Sequence, residues 1–443
     1  MSGSRVHPVD LGRIHEDLLA PVARPGRSYV LALAALAAVL VVGGVAWLDQ
    51  VVRGLHVTGL NNPVGWGIYI TTFVFWVGIA HSGTLISAVL LLFRARFRPA
   101  ISRAAEAMTV FAVMTAGLFP LVHLGRVWKF YYLLPMPNER MLWPNFRSPL
   151  LWDVFAVTTY VTVSTCFLYY GLIPDLAALR DRSTGWQRTA YGLASLGWEG
   201  TDQQWRHYRG LYVLLAGLAT PLVISVHSVV SWDFAVSVLP GWHTTIFPPY
   251  FVAGAILSGL AMVLTLGIPL RRWLCLEHYI TIEHFDKLAR LLLFTSLIVT
   301  YSYAVEYLMA FYSGDSIEID IFTFRATGAY GVMFAVMLLG NSIAPATFFF
   351  ARCRRSLPWL FTVSVLVNIG MWLERYWLIT SSLSHDFDPA AWGSYSGSTT
   401  EFLVIAGSMA MFLLMFWTFV RVVPPVPLNE VKEEALLHGE LGR

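Results

Sequence analysis

The sequence predicts an all-α polytopic membrane protein with about ten transmembrane helices. Three observations carry that prediction. Of 443 residues, 56% are hydrophobic and 13% charged, against about 25% charged in soluble domains; mean hydropathy is +0.61. Ten stretches stay apolar over the roughly 20 residues that a spanning helix needs. Their connections alternate between arginine-rich and arginine-poor, as they do in a chain that crosses a bilayer back and forth. This composition excludes a soluble enzyme. A net charge of +3 without a basic run gives no nucleic-acid footprint.

Residues 1–27 are polar, include Pro8, Pro21 and Pro25, and lack the charged-apolar-small order of a cleaved signal. They read as a retained cytoplasmic tail. The expected spans are 28–47, 66–93, 104–122, 150–173, 208–231, 249–270, 291–312, 326–351, 357–380 and 399–422. One set of connections holds clusters such as Arg94, Arg96, Arg98 and Arg103, or Arg352, Arg354 and Arg355. The other holds only Arg53, Arg126, Lys129, Arg140, Arg147 and Arg325. The bias places both termini on the cytoplasmic side. The long connection 174–207 is expected to carry an amphipathic interfacial helix near 187–196. The polar tail 423–443 is expected on the membrane surface or on a partner.

Cys166, Cys275 and Cys353 make no C-x-x-C pair and no c-type haem motif. A disulfide framework and a cysteine-held cluster are therefore not expected, and no metal ligands are assigned. An intrinsic haem would need histidines at matching depth on facing helices. His81 is central in its span, whereas His123 and His227 lie towards the outer face.

The most informative pattern is His123-Leu-Gly-Arg126 followed by Asp153 in the next span, with Trp128, Phe130, Tyr131, Tyr132 and Trp143 between them. Ionisable groups at a membrane boundary are expensive unless they act or pair. A histidine takes a proton near neutral pH, and a nearby carboxylate can orient it and accept the next one. An aromatic wall beside them suits a hydrophobic molecule that exchanges protons, such as a quinone. The alternative is an ion pair capping two helix ends. His227 and Asp233 bracket the end of the fifth span, six residues apart and so not on one helical face. Glu306 and Glu374 lie inside apolar spans and either carry protons or pair with arginines. Arg375 adjoins Glu374, but consecutive helical residues point about 100° apart, so each is expected to find its partner elsewhere. His81 either extends a polar path inward or makes an interhelical hydrogen bond.

The strings around these residues resemble the NrfD-like family, typified by the membrane subunit of polysulfide reductase. Within it the chain is most similar to the quinol-binding subunit of bacterial alternative complex III. The resemblance rests on His123-Leu-Gly-Arg126, on Ser148-Pro with Asp153, and on residues 220–235 and 240–250. It rests further on Trp372-Leu-Glu-Arg-Tyr376 and on Ser384-His-Asp-Phe387 with Trp392-Gly393. It implies two four-helix bundles, here 66–231 and 249–380, flanked by single helices 28–48 and 399–422. It implies oxidation of menaquinol or a related quinol in a bacterial plasma membrane, at the outer end of the first bundle. His123 and Asp153 match the quinol site; Arg126, Trp128, Tyr131, His227 and Asp233 are pocket candidates. His81, Glu306, Glu374 and Arg375 are proton-transfer candidates. The implied partners are an extracytoplasmic iron–sulfur subunit, c-type cytochrome subunits carrying haem, and a second NrfD-like membrane subunit. Iron–sulfur clusters and haem would lie on those partners, none on this chain. The alternatives are a quinone-reducing sister subunit of a molybdenum or iron–sulfur enzyme, a secondary transporter and a passive anchor.

Overall fold

The computed structural model describes residues 11–23, 26–95, 97–137 and 140–438. Helices account for the regular structure, and the described residues contain no β-strand. Ten helices are long and apolar enough to cross a membrane: α2 (Arg27–Arg53), α3 (Ile68–Leu92), α4 (Pro99–His123), α5 (Pro149–Arg182), α7 (Asp202–Ala235), α8 (Phe247–Trp273), α9 (Ile282–Ser313), α11 (Gly331–Phe349), α12 (Leu357–Ser384) and α13 (Thr399–Val422). Four shorter α-helices of ten or more residues join them: α1 (Leu11–Ala23), α6 (Gly185–Ala194), α10 (Ser316–Thr327) and α14 (Leu428–His438).

Helix α3 is the structural centre. Every residue from Ile68 to Thr84 is buried, as expected of a helix that is apolar all round. It packs against α4 on one side and α8 on the other. Helix α5 packs on α4 and α7, whereas α8 gathers α9 and α12, and α11 lies on α12. The seam between these groups runs along α3, α7 and α8, with α12 touching α3. Each group contains one π-helical turn, Leu85–Val89 in α3 and Leu339–Ile343 in α11. Such turns re-aim side chains and recur at functional sites.

The outermost helices pair with each other. Helix α2 exposes Val41, Val45 and Val52 and buries Gly43 against α13. A Cβ on Gly43 would lie 2.6 Å from the Gly407 Cα, so glycine is required on both helices for backbones to meet this closely. A capping box starts α13: the Ser398 hydroxyl accepts from the Glu401 amide while the Glu401 carboxylate accepts from Ser398 N. That carboxylate also accepts from Gly59 N at 2.8 Å and from the Tyr395 hydroxyl at 2.6 Å, tying the connection after α2 to the one before α13.

The structure corrects several expectations. The C-terminal tail also packs on the chain itself: Val426, Leu428 and Val431 of α14 and its approach are buried there. Arg98 pairs with Glu430 at 2.5 Å, and Leu428 N donates to Asp175. The N-terminal tail likewise contains α1, whose Ile14 and Leu18 are buried against α13 and α14. The eighth span starts at Gly331, not 326, because Gly328 and Tyr330 turn the chain out of α10. Arg325, counted as a loop residue, is fully buried in α10. It donates to Ser381 at 2.8 Å and Ser382 at 2.6 Å and lies over the Trp377 ring. The interfacial helix expected near 187–196 is α6.

Candidate functional site

Helices α1 and α14 lie at one end of the molecule, where Glu16, Glu430 and Glu433 pair with Arg182, Arg98 and Arg209; His123, Asp153 and Asp233 lie at the opposite ends of α4, α5 and α7. Asp153 sits in the second turn of α5 and Asp233 in the last turn of α7. Both are buried, and each carboxyl group is the other's ionisable neighbour. None of their four oxygens has a hydrogen-bond donor among the described residues. Two buried carboxylates this close repel, and one proton shared between them removes the repulsion. Around them Trp152 meets Trp232 edge-on at 6.0 Å, and Phe234 contacts Trp66 and Trp242.

His123 ends α4 and is half-buried, with Nδ1 lacking a partner. Its turn is held by Gly125 at φ +67°, where an added Cβ would strike the Leu55 side chain at 2.7 Å. Neither Asp153 oxygen is hydrogen-bonded to His123. The aromatic wall also differs from expectation. Trp128 is 60% exposed and Tyr131 37%, in a 3-10 turn over Val127–Leu133, and Arg126 is exposed. The aromatics next to the two acids in sequence are Trp152, Trp232 and Phe234, of which Phe234 is buried and Trp232 is 38% exposed.

Deeper in the molecule, His81 and His227 meet with ring centroids 4.9 Å apart. They occupy one depth, unlike their expected separation, because the packing of α7 on α3 brings the two positions level. The His81 Nδ1 lies 2.5 Å from the Val77 carbonyl, so Nδ1 carries the proton and Nε2 is left an acceptor without a partner. Tyr160 stacks on His81 at 4.8 Å and exchanges a hydrogen bond of 2.6 Å with Thr84. Both His227 nitrogens lack partners. Among the described residues no group of three metal-ligating side chains exists.

Across the seam, Glu374 and Arg375 pair with each other at 3.0 Å, contrary to the expectation of separate partners. Long side chains bend far enough to overcome the 100° offset. Glu374 also accepts from the Tyr303 hydroxyl and, at 3.2 Å, from Asn341 of the α11 π-turn. The Arg375 guanidinium lies 3.9 Å from the Phe251 ring centroid, and Phe251 contacts His227. Glu306 is buried with Oε1 unpartnered, and Arg325, Glu374 and Arg375 are its charged neighbours.

Sequence reasoning missed a fourth cluster, at the terminus-bearing end. Arg103 forms an ion pair with Asp175 at 2.9 Å, lies 3.9 Å from Glu106 and donates to the Gly171 carbonyl at 2.8 Å. Tyr212 donates to Glu106 at 3.0 Å. The signal was present: Glu106 is an acid inside an apolar span, like Glu306 and Glu374. Its neighbour Arg103 was counted as a connection charge. Glu106, Thr84, Ser87, Thr109 and Ser164 together line a small space, which joins this cluster to Tyr160.

These features define a helical membrane protein whose ionisable groups are buried at several depths and hold no metal cluster among the described residues. The chain belongs to the family described as polysulphide reductase, NrfD, which matches residues 56–385. A relative from Halobacterium salinarum, named as a membrane subunit of dimethyl sulfoxide reductase, is 28% identical over 393 residues, covering 85% of this chain and 83% of the relative. The Hdr-like menaquinol oxidoreductase integral membrane subunit of Archaeoglobus fulgidus is 23% identical over 422 residues, covering 90% and 94%. A selenate reductase subunit of Mesobacillus selenatarsenatis is 22% identical over 238 residues, covering 52% and 54%. All three names denote oxidoreductase subunits, and two of them membrane subunits.

Proposed function

We propose that this chain is the quinol-binding membrane subunit of an alternative complex III-type oxidoreductase, oxidising menaquinol near the extracytoplasmic face. The observation that carries this reading is the Asp153–Asp233 pair, four buried carboxyl oxygens without donors among the described residues, at the same end of the molecule as His123. A quinol offers two hydroxyl donors and an apolar ring, which suits orphaned acceptors flanked by Trp152 and Trp232. The menaquinol subunit among the relatives supports the same reading.

A quinol gives up two protons with its two electrons. Asp153 and Asp233 take one proton between them, and His123 takes the other at an imidazole nitrogen. Trp152 and Trp232 restrict water beside the pair. The electrons pass to an extracytoplasmic iron–sulfur subunit and then to c-type haem subunits, with a second NrfD-like subunit in the complex. Both termini are cytoplasmic in this orientation, in a bacterial plasma membrane. The polar groups Glu106, Thr84, Tyr160, His81 and His227 form the proton-transfer line of the first bundle; Arg375, Glu374, Tyr303 and Glu306 form that of the second. Arg126, Trp128 and Tyr131 line the exposed approach.

The dimethyl sulfoxide and selenate reductase names among the relatives fit the same direction, since a reductase consumes the electrons that a quinol gives up; the second reading, the same site reducing quinone with electrons from a molybdenum or iron–sulfur partner, is its reverse. One measurement tests both. Purified complex is assayed for menaquinol-dependent reduction of its haem partners and, in reverse, for menaquinone reduction by reduced partner, with wild type and His123→Ala. Loss of turnover in an assembled variant supports the site; full turnover in both directions removes it.

A further inference from the structure

A cavity of about 560 Å³ opens at the terminus-bearing end, between α3, α5, α7 and α14. Its volume lies in the range of small-molecule pockets. Arg94, Arg98, Arg103 and Arg209 line it, facing the carboxylates of Asp175, Glu430 and Glu433. Three of these arginines are matched: Arg98 to Glu430 at 2.5 Å, Arg103 to Asp175 at 2.9 Å and Arg209 to Glu433 at 3.7 Å. Arg94 adds a fourth positive charge, and Glu106, 3.9 Å from Arg103, a fourth carboxylate.

The matching leaves donors over. The Arg98 and Arg103 side chains are 6% and 3% exposed, yet Nη1 of each has no hydrogen-bond acceptor among the described residues. Buried guanidinium donors without acceptors are costly and mark a missing partner. That partner is an anion with several acceptor oxygens, for which arginine forks are suited.

Two features give the anion a tail. One side of the cavity is formed by Leu91, Leu92 and Val213; Leu92 and Val213 are 41% and 50% exposed, on the lateral surface of spanning helices. Trp205 and Tyr208 form another side with rings 5.5 Å apart, the residue types that sit at head-group level. We propose that the cavity binds the phosphodiester head group of an anionic membrane lipid, its acyl chains leaving along Leu92 and Val213. A basic pocket between helices on the face that bears the arginine-rich connections is the expected place for such a lipid. Because α14 supplies Glu430 and Glu433, the bound lipid would also fix the C-terminal helix.

The test is native mass spectrometry of the delipidated purified complex, titrated with phosphatidylglycerol, phosphatidylcholine or inorganic phosphate. Phosphatidylglycerol should be retained at least about tenfold better than phosphatidylcholine. Arg94→Gln with Arg209→Gln, which alters side chains at the rim, should lower that retention by about tenfold. Arg98→Lys, which keeps the charge beside Glu430, should also weaken it by removing the fork. Equal retention of the two lipids, or retention unmoved in both variants, would overturn the proposal. Binding of inorganic phosphate with no gain for the lipid would assign the cavity to a free anion and overturn it equally.

Discussion

Asp153 and Asp233 are neighbouring buried acids on α5 and α7, although 80 positions separate them in the chain. Their oxygens have no hydrogen-bond partner among the described residues, and in the proposed quinol site the two groups act as one acid–base unit. Asp153→Asn keeps the shape and removes one carboxylate; Asp233→Asn does the same from the other helix. Each variant should assemble and lose at least about tenfold in quinol turnover, and the double variant should lose little more. Residues acting as a unit behave in this non-additive way. Additive losses in purified complexes would break the unit into two independent residues.

The spans, their order and the amphipathic α6 were legible because apolar length and arginine bias act through the bilayer itself. Asp153 and Asp233 were both visible as ionisable groups at one end, yet their meeting was not, because it depends on how α5 turns against α7. His81 and His227 illustrate the same limit: position along a helix gives depth only when tilt is known. Arg325 and Glu106 were hidden for another reason. A charge beside a span boundary reads as a loop charge until packing shows it buried. The docking of α1 and α14 was obscured because short polar helices with a few apolar residues give little periodicity. Their Ile14, Leu18 and Val431 become informative only beside a surface that receives them.

Helix α2 is held to α13 at the Gly43–Gly407 crossing, where an added Cβ would be 2.6 Å from backbone. Gly43→Leu should cost roughly 1–3 kcal/mol of stability, the usual penalty of overpacking. It should lower the thermal midpoint of the purified chain while Gly44→Leu, which meets nothing within 4 Å, leaves it unchanged. Equal midpoints for the two variants would show that the helices separate freely.

Docking of α1 should weaken in acid. Burial and the neighbouring Lys432, whose ammonium is 3.2 Å from the ring, hold the His15 imidazole below its ordinary value of 6.5. The undocked helix therefore binds the proton more readily, so docking is favoured above that value and is lost as pH falls through and below it. Proteolysis within residues 11–23 should accelerate between about pH 7.5 and about 5.5, and the acceleration should vanish in His15→Gln. Unchanged cleavage rates would remove His15 from this contact.

Glu374 and Arg375 are both buried and pair at 3.0 Å. Removing one partner of such a pair leaves a charge without compensation and costs roughly 3–5 kcal/mol. Glu374→Gln should therefore lower stability more than the double change Glu374→Gln with Arg375→Met. Reconstituted vesicles separate this structural cost from proton transfer: the expected result is a reduced proton-to-electron ratio in both variants. A normal ratio in the stable double variant would make the pair purely structural.

Tyr160 links the two ends of the polar line, because its hydroxyl reaches Thr84 at 2.6 Å and the Ala80 carbonyl at 2.9 Å while its ring stacks on His81. Tyr160→Phe deletes only the hydroxyl, so the stack and the helix packing persist. If protons move along Glu106, Thr84, Tyr160 and His81, the variant should oxidise quinol at the wild-type rate in detergent, where no gradient opposes it. In sealed vesicles its proton-to-electron ratio should fall, since release at the Asp153 end continues while transfer through the interior stops. His81→Phe should give the same fall by a different lesion, retaining an aromatic ring against Tyr160 but no ring nitrogen. A wild-type ratio in both variants would leave the line as interhelical hydrogen bonding and confine proton chemistry to the Asp153–Asp233 pair and His123.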